Sequence, residues 1–133
     1  MGRSVARDMR YVVAAVCEES SVENIKQAFA LFLPEYQLKF VASPDTCLAA
    51  VRTERPSVLL LDRFLQNTDS LNTLRAVRAF CDIPVLLLSY DRDEGAVVNA
   101  LESGADGLLT KPLRQMELAS YVKSMVKRMD TTG

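Results

Sequence analysis

The stretch VLLLDRFL, residues 58–65, runs four apolar residues straight into Asp62, with Arg63 behind it. Apolar residues in an unbroken run, without polar alternation, suit a strand covered on both faces, as in a parallel sheet. A carboxylate at the end of such a strand is either a turn residue or a reagent. Four more short runs have the same character: YVVAAV (11–16), LKFVA (38–42), PVLLLS (84–89) and GLLT (107–110).

The segments between these runs carry helical spacing. Val22, Ile25, Phe29, Phe32 and Leu33 line one side of a first helix, and Cys47, Leu48 and Val51 one side of a second. Leu71, Leu74, Val77 and Cys81 do so for a third. Val97, Val98 and Leu101 mark a fourth, stopped at Gly104, and Leu118, Val122, Met125, Val126 and Met129 give the last stripe. Ser20 or Ser21 is placed to cap the first helix, and Pro34, Pro56 and Pro84 fall in connections. The order is therefore strand then helix, five times over. It predicts an α/β fold, a three-layer α/β/α sandwich with right-handed crossovers. One domain over residues 9–130 accounts for the pattern, with 1–8 and 131–133 expected as flexible ends.

Composition narrows the function. The 133 residues are 49% hydrophobic and 25% charged, ordinary usage for a water-soluble domain with a core of its own. A formal net charge of −1 argues against gripping nucleic acid by bulk electrostatics. The basic residues near the C-terminus (Arg114, Lys123, Lys127, Arg128) read as a solvated helix face. No apolar run approaches the roughly 20 residues of a membrane span. The opening MGRSVARDMR lacks the apolar core of a signal peptide, so a cytoplasmic location is expected. Cys17, Cys47 and Cys81 lie far apart without metal spacing, and are expected to be reduced and mostly buried. The chain contains no histidine, which removes histidine triads, the common zinc sites and an imidazole base. Chemistry falls to carboxylates, hydroxyls, lysine or thiols.

Open parallel sheets bind ligands beyond the carboxyl ends of their strands. That edge receives Glu18-Glu19 after the first run, Asp62 after the third, Ser89 after the fourth and Thr110-Lys111-Pro112 after the fifth. Carboxylates without nitrogen or sulfur partners suit a hard divalent cation, and Mg²⁺ takes few protein carboxylates together with water and a phosphate oxygen. One carboxylate is then a nucleophile toward a phosphoryl group. The serine hydroxyl and the lysine ammonium are natural ligands for the phosphoryl oxygens. Each residue alone has a plainer role: Glu18-Glu19 as acids opening a helix, Ser89 as a turn residue, Lys111-Pro112 as a loop, Asp62 as a helix cap. Their convergence on one edge is what points to a site.

These residues resemble the receiver domain of bacterial two-component response regulators, over about residues 10 to 129. SGADGLLTKPL (103–113) is similar to the family's G-A-x-x-[YF]-x-x-K-P signature, LLLDRFLQNTDSL (59–71) to its phospho-acceptor loop and PVLLLS to its fourth strand. The resemblance implies a flavodoxin-like sheet of order 2-1-3-4-5. It implies Asp62 as phospho-acceptor, Ser89 as switch hydroxyl, and Lys111 on the phosphoryl group with Pro112 in a cis peptide. Mg²⁺ is then held by Glu18, Glu19, Asp62 and the Phe64 backbone carbonyl. A histidine kinase or phosphotransfer protein is the implied partner. A homodimer through the face of helix 4, strand 5 and helix 5 belongs to the same expectation. The implied module is a signalling protein and not an enzyme, beyond self-phosphorylation and autodephosphorylation at Asp62, and this domain binds neither membrane nor nucleic acid directly.

The chain departs from the family pattern at several points. Glu18-Glu19 stands where aspartates are usual, Gln66 and Ser70 replace a proline and a glycine, Tyr90 replaces a small residue, and Leu108 replaces the switch aromatic. Two readings therefore follow. One is a phosphorylatable receiver; the other is a receiver-like docking or dimerisation module that signals without phosphorylation. A dinucleotide or P-loop site is excluded, because CEESSVEN (17–24) after the first run has no glycine.

Overall fold

The computed structural model describes residues 10–132; residues 1–9 and 133, with the loose N-terminal segment expected there, lie outside the described residues. The chain runs β1 (Arg10–Ala15), α1 (Glu19–Phe32), β2 (Tyr36–Val41), α2 (Pro44–Glu54) and β3 (Val58–Asp62). It continues through α3 (Ser70–Arg78), β4 (Val85–Ser89), α4 (Glu94–Glu102), β5 (Gly107–Thr110) and α5 (Gln115–Thr132). The five strands form one parallel sheet of order β2-β1-β3-β4-β5. Between β3 and α3 the chain adds a small antiparallel hairpin, Phe64–Leu65 against Thr68–Asp69.

The solid apolar runs now have their cause. Alternate residues of β1, β3 and β4 point to opposite faces. Val12, Ala14, Leu60, Leu86 and Leu88 meet α1 and α5 on one side. Val13, Ala15, Leu59, Leu61, Val85 and Leu87 meet a second core under α2, α3 and α4. Every residue of β3 and β4 is buried, and full burial of a leucine contributes about 2 kcal/mol.

Helix starts follow local chemistry. Ser43 and Thr46 form a reciprocal capping box with Pro44 in the first turn of α2, which ends at Arg55 in a left-handed conformation (φ 49°). Asp69 accepts from Leu71 N at 2.9 Å to cap α3, and Asp93 accepts from Ala96 N at 2.9 Å to cap α4. The first helix departs from expectation. Its cap position is Glu18, without a side-chain cap, while Ser21 lies buried and donates its hydroxyl to Glu18 Oε1 at 3.3 Å.

α5 runs to Thr132. Two further expectations are corrected. Met129 is exposed, as are Val98 and Leu101, while Ala100 is the buried residue of α4. This two-turn helix lies beside edge strand β5 and has little sheet to cover, so its apolar stripe stays largely in solvent. Of the three free cysteines only Cys47 is buried; Cys81 is half-buried and Cys17 exposed. Among the described residues no helix is long and apolar enough to cross a membrane.

Candidate functional site

Parallel strands of matched length end together, so the residues following β1, β3, β4 and β5 arrive at one edge. They surround a cavity of about 320 Å³ bordered by Glu18, Asp62, Phe64, Ser89, Tyr90 and Lys111. Glu19 is not among its lining residues. As the first residue of α1 it is exposed, in the position where an acid favours the helix dipole. The acidic pair therefore does not reach the cavity as a pair.

Asp62 closes β3 and is only 2% exposed. Its Oδ2 accepts from the Cys17 backbone N–H at 3.4 Å. Its Oδ1 lies 2.6 Å from Lys111 Nζ as an ion pair, yet no donor meets that oxygen at hydrogen-bonding geometry. Burial pushes the Asp62 carboxyl above its ordinary range, and the Lys111 ammonium offsets that only in part. Lys111 itself is 8% exposed. Burial works against its charge, but the carboxylates of Asp62 and Glu18 outweigh it and the ammonium is held above its usual pKa.

Glu18 is the centre of a second cluster. Its Oε1 accepts from Lys111 Nζ at 2.8 Å, and Tyr90 Oη stands 3.0 Å from both carboxylate oxygens. The Lys111 contact, ahead of the Tyr90 contact, draws the Glu18 carboxyl below its usual range despite some desolvation. The Tyr90 ring stands over Lys111, with Nζ 5.1 Å from its centroid. Ser89 is buried, and its Oγ accepts from Asp91 N at 3.0 Å. It thus serves the turn while its hydroxyl borders the cavity. The Lys111–Pro112 bond is cis, as expected.

The segment after Asp62, where Gln66 and Ser70 stand in place of the family's proline and glycine, is the small hairpin. Gln66 and Asn67 occupy its two-residue bend with positive φ (49° and 64°), the geometry of tight hairpin turns. A two-residue link between FL and TD is a hairpin signal, weakened here by the absence of glycine. Arg63 stacks on the Phe64 ring at 4.6 Å and pairs with Asp69. Backbone bonds from Arg63 N to Leu88 O (2.8 Å) and from Ser70 N to Arg63 O (2.9 Å) fix the segment at both ends.

The donor set fits a hard cation in part. Glu18, Asp62 and Phe64 border one cavity, and the Asp62 oxygen without a hydrogen bond is the kind of atom a divalent cation satisfies. Among the described residues no three Asp, Glu, Cys or His side chains are gathered around one point. Glu18 faces Lys111 and Tyr90, and Glu19 lies outside.

The sequence matches the response regulator receiver domain family over residues 14–123. The chain belongs to this family. The receiver domain is 32% identical over 111 residues to the transcriptional regulatory protein CseB of Streptomyces coelicolor, covering 82% of this chain and 47% of that protein. It is 37% identical over 83 residues to the DNA-binding response regulator MtrA of Mycobacterium tuberculosis, covering 62% of this chain and 36% of the relative. The chain thus spans less than half the length of these curated relatives. A CheY-like receiver domain protein from Methanospirillum hungatei superposes with a TM-score of 0.83 at 17% identity, covering 94% of this chain and 99% of the other. That likeness shows the fold. The receiver sheet order expected from the sequence, 2-1-3-4-5, is the order observed.

Proposed function

We propose that this receiver domain accepts a phosphoryl group on Asp62 from the phosphohistidine of a histidine kinase or phosphotransfer protein. The observation that carries this reading is the buried Asp62–Lys111 pair at the floor of a cavity that Ser89 also borders. A carboxylate oxygen of Asp62 forms the new O–P bond as the P–N bond of the partner breaks. The leaving imidazole keeps the bonding electrons and regains a proton from solvent. Lys111, held cationic by its two carboxylates, faces the transferred oxygens, and the Ser89 hydroxyl takes one of them. Asp62, Glu18 and the Phe64 carbonyl would hold Mg²⁺, which would supply charge neutralisation when bound. Glu19 is assigned a place only through water.

The output of such a step is a shifted balance between two conformations of the α4–β5–α5 face. The exposed Val98 and Leu101 on α4 and the half-exposed Tyr121 on α5 make that face adhesive toward a second copy or an effector. Any DNA contact belongs to parts that a longer protein would carry, and not to this domain.

The test is direct. The protein is incubated with a small phosphoramidate donor and Mg²⁺ and its intact mass measured. The wild type is expected to gain one phosphoryl group and Asp62→Asn none; a wild type without mass gain overturns the proposal. The alternative reading is a docking module independent of phosphorylation. That reading requires partner affinity to be unchanged in Asp62→Asn.

A further inference from the structure

The Tyr90 phenol lies 3.0 Å from both oxygens of Glu18, while Lys111 stands between Glu18 (2.8 Å) and Asp62 (2.6 Å) with the Tyr90 ring above it. The four side chains form one closed arrangement. The ammonium bridges both acids, leaving the cluster one net negative charge, and the phenol adds a donor to the outer one. Ser21 adds a third donor to Glu18 Oε1 at 3.3 Å. Nothing in the main chain requires this. Tyr90 is 61% exposed, contributes nothing to either core, and reaches across from the end of β4 to the start of α1.

We infer that Tyr90 is a positioning residue, a latch that holds Glu18 on Lys111 and shuts the Asp62 cavity against a divalent cation. This inference rests on the phosphoryl-transfer reading for its purpose, but not for its geometry. Glu18 has two oxygens, and both are engaged. To turn either toward a cation beside Asp62, Glu18 must give up the phenol and share Lys111 less closely. Cation binding and release of Tyr90 are therefore one event. Tyr90 and Lys111 also border a second, polar cavity of about 510 Å³, with Arg92, Thr110, Pro112 and Glu117 among its walls. The released ring has that space to enter. Its motion carries the state of the acids from the strand ends to the surface between β4 and α5.

The experiment compares wild type with Tyr90→Phe, which keeps the ring and removes the hydroxyl. Mg²⁺ affinity is measured by calorimetry. In parallel, both proteins are labelled with 3-fluorotyrosine, and the Tyr90 fluorine resonance is identified as the one lost in Tyr90→Phe. Loss of an exposed hydrogen bond to a charged group is expected to tighten Mg²⁺ binding roughly three- to tenfold. The Tyr90 resonance is expected to shift along the Mg²⁺ titration with the calorimetric midpoint. Equal affinities in the two proteins, a Tyr90 resonance that does not move, or no Mg²⁺ binding by either overturns the latch. The two proposals fail separately. A wild type that gains no phosphoryl mass while Tyr90→Phe binds Mg²⁺ more tightly overturns the phosphoryl acceptor and upholds the latch. A phosphorylated wild type whose Mg²⁺ affinity is untouched by Tyr90→Phe does the reverse.

Discussion

Lys111 Nζ lies 2.6 Å from Asp62 Oδ1 in a pair whose side chains are 6% and 2% exposed. Removing one member of a buried pair leaves the other charged and unmatched. Lys111→Met is therefore expected to cost about 3 kcal/mol in urea unfolding at pH 7. The loss should shrink as the pH falls toward 4, because Asp62, already raised above its ordinary 3.8, takes a proton. The double variant Asp62→Asn/Lys111→Met should recover part of the loss. Equal destabilisation at both pH values would show that the pair is not what Lys111 supports.

Arg78 ties three separate segments together. Its Nε donates to Gly104 O at 2.9 Å, Nη1 to Ile83 O at 2.7 Å and Nη2 to Asp106 Oδ2 at 2.9 Å. Gly104 has φ +113°, and a Cβ there would stand 2.8 Å from Arg78 Cγ. Gly104→Ala is expected to cost about 2 kcal/mol through strain and crowding. Arg78→Ala should cost about 2 kcal/mol through lost hydrogen bonds. The double variant should cost less than the sum, since the crowding disappears with the arginine. Full additivity in chemical denaturation would refute the contact.

Burial pushes the Cys47 thiol from its ordinary 9.0 up to about 12. The folded protein keeps this proton where the unfolded chain releases it, so the associated stability is present below pH 9 and is lost as the pH rises from there toward 12. Below pH 9 the folded protein should present almost no Cys47 thiolate. Alkylation at pH 8 with peptide mapping is expected to label exposed Cys17 and spare Cys47, which should react only after denaturation. Labelling of Cys47 at the rate of Cys17 would contradict its burial.

Much of this was legible in the sequence, and for definable reasons. VLLLD and VLLLS read as buried strands because both of their faces meet helices, and the edge rule brought Asp62, Ser89 and Lys111 together. The stripe of α4 misled because spacing reports which residues share a face, not whether anything covers it. Glu18 and Glu19 were indistinguishable as neighbours. Their roles split only where the chain leaves an extended residue and enters a helix. Arg78 gave no signal at all, since its partners are mainly backbone carbonyls from other elements. Tyr90 stood out as a departure from a small residue, but its hydroxyl's reach of 72 residues back to Glu18 exists only in the fold.

The hairpin after Asp62 carries one more consequence, through Asp69. That carboxylate caps α3 and also answers Arg63, the residue next to Asp62. A single anion is thus divided between a helix end and the neighbour of the reactive acid. Any newcomer that bids for Arg63, an anionic group above all, alters the share left for Leu71 N. The beginning of α3 is in this way within earshot of Asp62 along a path of eight residues, without help from the far face of the sheet.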